Sequence, residues 1–315
     1  MVLADFPTWF LRGVAIAFGL IWGSFLNVVI YRVPLGMSVV RPPSHCPGCG
    51  KPIAPYDNIP VLSYVFLRGR ARCCGVPMSA RYPLVELIGG AISLAIVERV
   101  LLPMPAWTPI GRVLCVYGAD FTVSMALVAG AFIDAEHMYL PDPITIGGAV
   151  LGFATASLRG ISWRDSLVGA VVGFVAVWLP FGVVYKWLRG RVGMGLGDAK
   201  LMMLAGAWFG WIGVVFALLA GAVQGTVTAM AILLVKGKIE EPAAVVADRE
   251  ELRKAESEGD EEAKRALEED PLGQPQGEGL GQARLPFGPF LILGILEFLL
   301  AGGQIVGWYA GLLGR

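Results

Sequence analysis

Two aspartates stand where aspartates are expensive. Asp134 closes a long apolar run in Phe132-Ile-Asp134-Ala-Glu-His-Met-Tyr-Leu-Pro141-Asp142, and Asp198 opens another in Gly193-Met-Gly195-Leu-Gly197-Asp198-Ala-Lys200. A carboxylate at membrane depth points to function by default. Two carboxyls brought close do not both ionise cheaply, so one keeps a proton while the other serves as a base. Such a pair activates a water and protonates a departing amide nitrogen, which is the chemistry of peptide hydrolysis. Gly195 and Gly197 lack a Cβ, so the backbone there can unwind or pack closely and leave room for an extended peptide beside Asp198. Each aspartate also has a purely structural reading, as a helix cap or as a partner of Lys200. Asp142, just after Pro141, reads as an N-terminal cap. Asp120 and Glu297 are secondary candidates, and Glu136 and His137 read as residues of the wet boundary.

A second group of reactive side chains is Cys46-Pro-Gly-Cys49 and Cys73-Cys74-Gly75. Turns of this kind let neighbouring sulfurs and backbone N–H groups converge on one ion, as in a zinc knuckle. A reducing compartment favours metal over disulfide. A reduced loop with incidental thiols is the alternative. Because Cys73 and Cys74 are adjacent, chelation of one ion by Cys46, Cys49, Cys73 and Cys74 calls for distorted backbone at the second pair. Cys115 falls inside an apolar run and reads as a small buried apolar residue.

The elements that must position these groups are membrane helices. Of 315 residues 56% are apolar and 16% charged, with 42 glycines, against about 25% charge in soluble chains. The 25 basic and 25 acidic residues cancel, so charge gives no reason to expect a nucleic-acid partner, and the partner surface is the lipid bilayer. Segments near the roughly 20 apolar residues a span needs occur at 13–31, 84–102, 113–133, 143–158, 166–185, 198–210, 212–235 and 286–309. Residues 201–235 carry no charge for 35 positions, too long for one span, and the Gly210-Trp211 pair marks the turn between two. The first segment lacks a basic run and a small-x-small site, so it reads as a retained span. The expected fold is an all-α polytopic membrane protein of about eight transmembrane helices, with a small cysteine-containing cytoplasmic domain between the first two.

Lys and Arg set the orientation. Loops 32–83, 134–142, 186–200 and 236–285 hold 19 basic residues, the opposite side six, which places the cysteines and the charge run in the cytoplasm and both termini outside. Asp134 and Asp198 then share the cytoplasmic depth although 64 residues apart. The division is 1–32 first transmembrane helix, 33–83 cysteine domain, 84–235 catalytic core, 236–285 acidic loop and 286–315 last transmembrane helix. Within the loop, 236–284 holds 14 acids and eight bases. Residues 247–269 read as one exposed helix, broken at Pro271, in a solvated, partly disordered segment.

Several motifs, in order, resemble the type IV prepilin peptidase family of Gly-x-Gly-Asp membrane aspartic proteases. They are Gly23-Ser-Phe-Leu-Asn27 through Arg32-Val-Pro34, Arg41-Pro-Pro-Ser-His-Cys46-Pro-Gly-Cys49, Asn58-Ile-Pro60-Val-Leu-Ser63, Ser79-Ala-Arg81-Tyr82-Pro83-Leu-Val-Glu86, Asp134 with Pro141-Asp142, Gly195-Leu-Gly197-Asp198-Ala-Lys200 and Leu285-Pro-Phe-Gly-Pro-Phe290. The resemblance implies removal of the basic leader of prepilins or pseudopilins, after a Gly, at the cytoplasmic face of the bacterial inner membrane, where the protein is multi-pass. It implies Asp134 and Asp198 as the catalytic pair, and in many members methylation of the new N-terminus from S-adenosylmethionine. Gly195, Gly197 and Lys200, with Glu86 and Arg81 near the leader or new amine, form the expected substrate surroundings. Cys46, Cys49 and Cys74 match three of the family's four zinc-site or structural cysteines. The family spacing puts the other at position 71, where Ala71 stands. Either Cys73 supplies the fourth ligand or the site is lost. Two readings from other classes are a proton-coupled transporter using Asp134, Asp198 and Glu297, and a non-catalytic membrane assembly protein with a zinc-knuckle docking domain.

Overall fold

The computed structural model describes residues 1–189, 193–269, 272–273 and 284–312. Among the described residues the fold is all-helical, with three isolated β-bridges and no strand. The chain divides into two compact units, Met1–Ala129 and Gly130–Arg315.

In the first unit, helices α1 (Thr8–Arg32) and α2 (Arg81–Ile96) pack face to face. Glycine makes the approach possible: a Cβ on Gly23 would lie 2.7 Å from the Glu86 Cα, and Gly19 and Gly89 each face the other's carbonyl. This is the small-residue packing that membrane helices use in place of a hydrophobic driving force. Ser93 Oγ bonds the Ala15 carbonyl (2.5 Å) and the Tyr117 hydroxyl (2.6 Å), tying α1, α2 and the first part of α3 (Ile110–His137) together. Beyond α2 a π-helical turn, Val97–Leu101, carries Glu98 to Arg12. The cysteine module occupies the long connection between α1 and α2.

The second unit holds the end of α3 and helices α4 (Asp142–Thr155), α5 (Trp163–Val177), α6 (Leu196–Lys236), α7 (Ala243–Ser257), α8 (Glu261–Glu269) and α9 (Gly288–Leu312). Helix α6 is its centre, with α4, α5 and α9 packed on it. Gly169 and Gly206 let the α5 and α6 backbones touch, while Gly152 of α4 lies under the fully buried Trp208, where a Cβ would sit 2.5 Å from the indole. The indole N–H donates to the Gly148 carbonyl at 2.8 Å. Helix α6 breaks at Gly210 (φ 68°, ψ −170°), a backbone region open to glycine alone, so the turn read at Gly210-Trp211 is a sharp break between two helical stretches. Pro180 has no N–H to give, and α5 runs on through a π-helical stretch, Trp178–Val184.

Five described helices are long and apolar enough to cross a membrane: Thr8–Arg32, Ile110–His137, Trp163–Arg189, Leu196–Lys236 and Gly288–Trp308. The segments read as the second and fourth spans are helical but shorter, 16 and 14 residues in regular α geometry. Exposed Leu167, Val168, Val171 and Val172 on α5 form the apolar outer face expected of a lipid-facing helix.

Three expectations are corrected. The charge run is not one exposed helix: Gly259 (φ 95°) breaks it into α7 and α8. The two pack together, burying Val245, Ala263 and Leu267, and Arg249 reaches Glu241 (2.8 Å) and the Leu272 carbonyl (2.7 Å). The remainder of that loop, with Pro271, lies outside the described residues. Cys115 is exposed on α3 rather than buried. Asp142 is not a cap: Pro141 holds the N-cap position, and Asp142 is the first residue inside α4.

Candidate active site and cysteine centre

Asp134 sits one turn before the end of α3, and its backbone carbonyl accepts from Met138 N–H at 2.9 Å. Met138 has a left-handed φ of 54°, which ends the helix and turns the chain through Leu140 and Pro141 into α4. Asp198 lies in the first turn of α6, after the extended Gly195, whose carbonyl accepts from the Asp198 N–H at 3.2 Å. The glycines before Asp198 thus start a helix rather than interrupt one.

Leu140 joins the pieces. A Cβ on Gly197 would lie 3.3 Å from Leu140 Cβ, and a Cβ on Gly288, at the start of α9, would lie 3.3 Å from Leu140 Cδ1 and 2.6 Å from Asp134 Oδ2. The end of α3 and the starts of α6 and α9 therefore meet around one leucine, and the Asp134 and Asp198 carboxyls lie within electrostatic reach of each other. Asp134 is 7% exposed; its Oδ2 is sealed from solvent without a hydrogen bond of full geometry, and the Gly288 N–H is the backbone donor that faces the carboxyl. A buried acceptor so poorly satisfied is costly. Gly288 had no role of its own in the sequence reading; it stood only within the Leu285-Pro-Phe-Gly-Pro-Phe290 motif.

Lys200 does not pair with Asp198. Residues two apart point to different sides of a helix, and the Lys200 Nζ instead meets Asp142 Oδ1 at 2.6 Å. His137, on the last turn of α3, lies 3.7 Å from Asp248 of α7. Glu297 accepts from the Gln224 side-chain amide at 2.9 Å, an α6–α9 link. Glu86 and Arg81 belong to the first unit. Glu86 is buried, and its Oε2 accepts from the Val61 N–H at 2.6 Å, holding Val61 in its left-handed conformation (φ 60°). Arg81 opens α2.

The cysteine module is two copies of one turn. In the first, Cys46 N–H bonds the Lys51 carbonyl (2.8 Å), Gly50 N–H bonds the Cys46 carbonyl (2.9 Å), and His45 bridges Pro52. In the second, Ala71 N–H bonds Val76 (2.9 Å), Gly75 N–H bonds Ala71 (2.8 Å), and Arg70 bridges Pro77. Gly50 and Gly75 have φ of 70° and 71°. Cys49 and Cys74 are thus equivalent, Cys46 matches Ala71, and Cys73 matches Gly48. A Cβ on Gly48 would lie 2.9 Å from Val76 Cγ1 and 3.3 Å from the Cys74 sulfur. By the same geometry Cys73 aims at Cys49, and those sulfurs lie 3.2 Å apart. The backbone at 73–74 is therefore an ordinary knuckle turn, not the distorted one expected.

All four sulfurs lie within 4.8 Å of one another. Four thiols this close, on two knuckle turns, suit a tetrahedral zinc site. The Gly48 N–H, opposed by burial and helped by the Cys49 N–H, pulls the Cys46 thiol down to about 6. Hydrogen bonds from Cys73 to Cys49 and Cys46 push the Cys73 thiol up to about 12. One thiolate is ready for a cation while the crowded partner keeps its proton until a cation displaces it.

An all-α, multi-pass membrane protein with paired aspartates at helix ends is the class these observations define. Residues 17–100 match the bacterial peptidase A24 N-terminal domain, and 121–230 match the type IV leader peptidase family. Similar proteins include the prepilin leader peptidase/N-methyltransferases of Myxococcus xanthus (strain DK1622), 43% identical over 70% of this chain and 62% of its own length, and of Aeromonas hydrophila, 34% identical over 74% and 85%. That of Klebsiella pneumoniae is 38% identical over 61% and 82%. The chain thus covers less than two thirds of the Myxococcus relative. No solved structure matches. The chain belongs to the type IV leader peptidase family.

Proposed function

We propose that this chain is a membrane aspartyl endopeptidase that removes the leader of prepilins or pseudopilins at the cytoplasmic face of the inner membrane, and that it methylates the new N-terminus. The observation that supports the proteolytic reading is the convergence of the Asp134 turn, the Gly197-Asp198 helix start and Gly288 around Leu140. One carboxylate activates a water for attack on the scissile carbonyl; the other, protonated, gives its proton to the leaving nitrogen. Gly195, Gly197 and Gly288 keep side chains out of the space beside the acids, which suits an unwound substrate backbone. The excess of basic residues beside the cysteine module and the charge run supports the cytoplasmic orientation.

Zinc held by Cys46, Cys49, Cys73 and Cys74 would stabilise the 33–83 domain as a closed structural site. The methyl donor implied by the relatives' name is S-adenosylmethionine.

Mass spectrometry of a prepilin co-expressed with this chain tests the proposal. The expected product begins immediately after the leader's Gly and carries one added methyl group on its new amine. An intact prepilin contradicts the peptidase, and a cut but unmodified product contradicts the methyltransferase.

A further inference from the structure

The Lys200–Asp142 ion pair joins the two aspartate-bearing segments at a point the chemistry does not use. We propose that Lys200 and Asp142 are positioning residues, a clamp that fixes the Asp134 segment against the Asp198 helix; the inference rests on the proteolytic reading above. Helix α4 is pinned to α6 at its far end. There the Arg159 guanidinium lies 4.0 Å over the Trp208 ring and donates to the Trp208 carbonyl (2.7 Å) and the Gly152 carbonyl (2.6 Å), while the Trp208 indole bonds Gly148. Trp208 is eight residues beyond Lys200, about 12 Å along an α-helix. The near end of α4 has one charged tie to α6, the 2.6 Å contact between Lys200 Nζ and Asp142 Oδ1.

That near end follows directly on the turn that ends the Asp134 helix, α3. Between Asp134 and Asp142 the chain leaves α3 through Met138 (φ 54°), whose N–H still bonds the Asp134 carbonyl, and passes Tyr139 and Leu140 outside helical geometry before the Pro141 carbonyl opens α4 by accepting from the Ile144 and Thr145 N–H groups (3.0 and 3.2 Å). Pro141 and Pro143 flank Asp142 and lock their own φ, which leaves Tyr139 and Leu140 as the stretch that something outside the backbone must fix. A side-chain tie does it. Lys200 is one half-turn past Asp198 and points away from it, so the ammonium reaches across to α4 and leaves the Asp198 carboxyl unencumbered. Asp142 at the start of α4 also suits the positive end of that helix, which favours an acid there. The pair thus sets the separation of Asp134 and Asp198 without contacting substrate. A displacement of about 1 Å in a catalytic group costs on the order of 10²-fold in rate.

The test uses the purified full-length chain in lipid nanodiscs and a prepilin substrate. Lys200→Met is expected to lower kcat about 10- to 100-fold with KM within about twofold, Lys200→Arg to keep most of the rate, and the exchanged pair Lys200→Asp with Asp142→Lys to run about tenfold faster than either reversal alone. Hydrogen exchange supplies a readout independent of cleavage: amides of 138–145 exchange faster in Lys200→Met but not in Lys200→Arg. A Lys200→Met enzyme with unchanged kcat, a loss confined to KM, an exchanged pair no better than the single reversals, or unchanged exchange at 138–145 each overturns the clamp. Failure of the wild-type chain to cut any prepilin sinks the proteolytic reading instead, and the exchange result still decides whether the clamp holds the turn.

Discussion

Asp134→Asn and Asp198→Asn each reduce prepilin cleavage by about 10³-fold or more while the protein still inserts and purifies. The reason is chemical, not architectural. Asparagine matches aspartate in size, so the contacts around Leu140 and Gly288 survive. It neither takes a proton from water nor holds one for the leaving nitrogen. Because the two acids act as one unit, the double substitution is expected to be scarcely worse than either single one. The check is a time course of leader removal by purified variants, with circular dichroism to establish that the helices remain. Processing at more than a tenth of the wild-type rate by either variant excludes that aspartate from the chemistry.

The second large effect concerns zinc. The wild-type chain is expected to purify with about one zinc per molecule, and Cys49→Ser or Cys73→Ser to reduce this to below about a tenth, because three thiolates on two separate turns leave the ion open to exchange. The repeat makes a sharper prediction. Ala71 is the structural counterpart of Cys46, and Cys73 of Gly48. Moving the ligand back, as Ala71→Cys with Cys73→Gly, should restore bound zinc, since both positions look into the same space from one turn. Cys115→Ser, on α3 in an apolar run, should leave zinc unchanged. Metal analysis by mass spectrometry on protein purified without added zinc reads all four. Zinc content unaffected by Cys73→Ser would show that the ligand at this turn is not Cys73.

Much of this architecture was legible because it is written in single positions. Asp134 and Asp198 stand out where a charge interrupts apolar sequence, and 35 uncharged residues force a break that falls at Gly210. What was not legible depends on direction or on distant pairing. Lys200 was read beside Asp198, its neighbour in sequence, whereas its partner is Asp142, 58 residues away; helical geometry rules out the near choice but does not name the far one. Asp142 was read as a cap because a cap and a first-turn acid differ by one residue. Cys73 looked badly placed because adjacency suggests competition, while in the folded turn both sulfurs, 4.0 Å apart, reach the same cluster. The acidic insert looked exposed because its charges outnumber the few apolar residues, Val245, Ala263 and Leu267, that hold α7 against α8. Gly288 acquires meaning only when α9 is folded back to Asp134.

The transporter reading is weakened by Glu297, whose two oxygens are both taken by Gln224 rather than offered along a path.

Proximity of the two aspartates underlies all of this, and cross-linking measures it without relying on activity. In a chain carrying Asp134→Cys and Asp198→Cys, a short bis-thiol reagent followed by peptide mapping should join the peptides containing positions 134 and 198 in good yield. If both new thiols react singly and are never found joined, the two residues do not share a site.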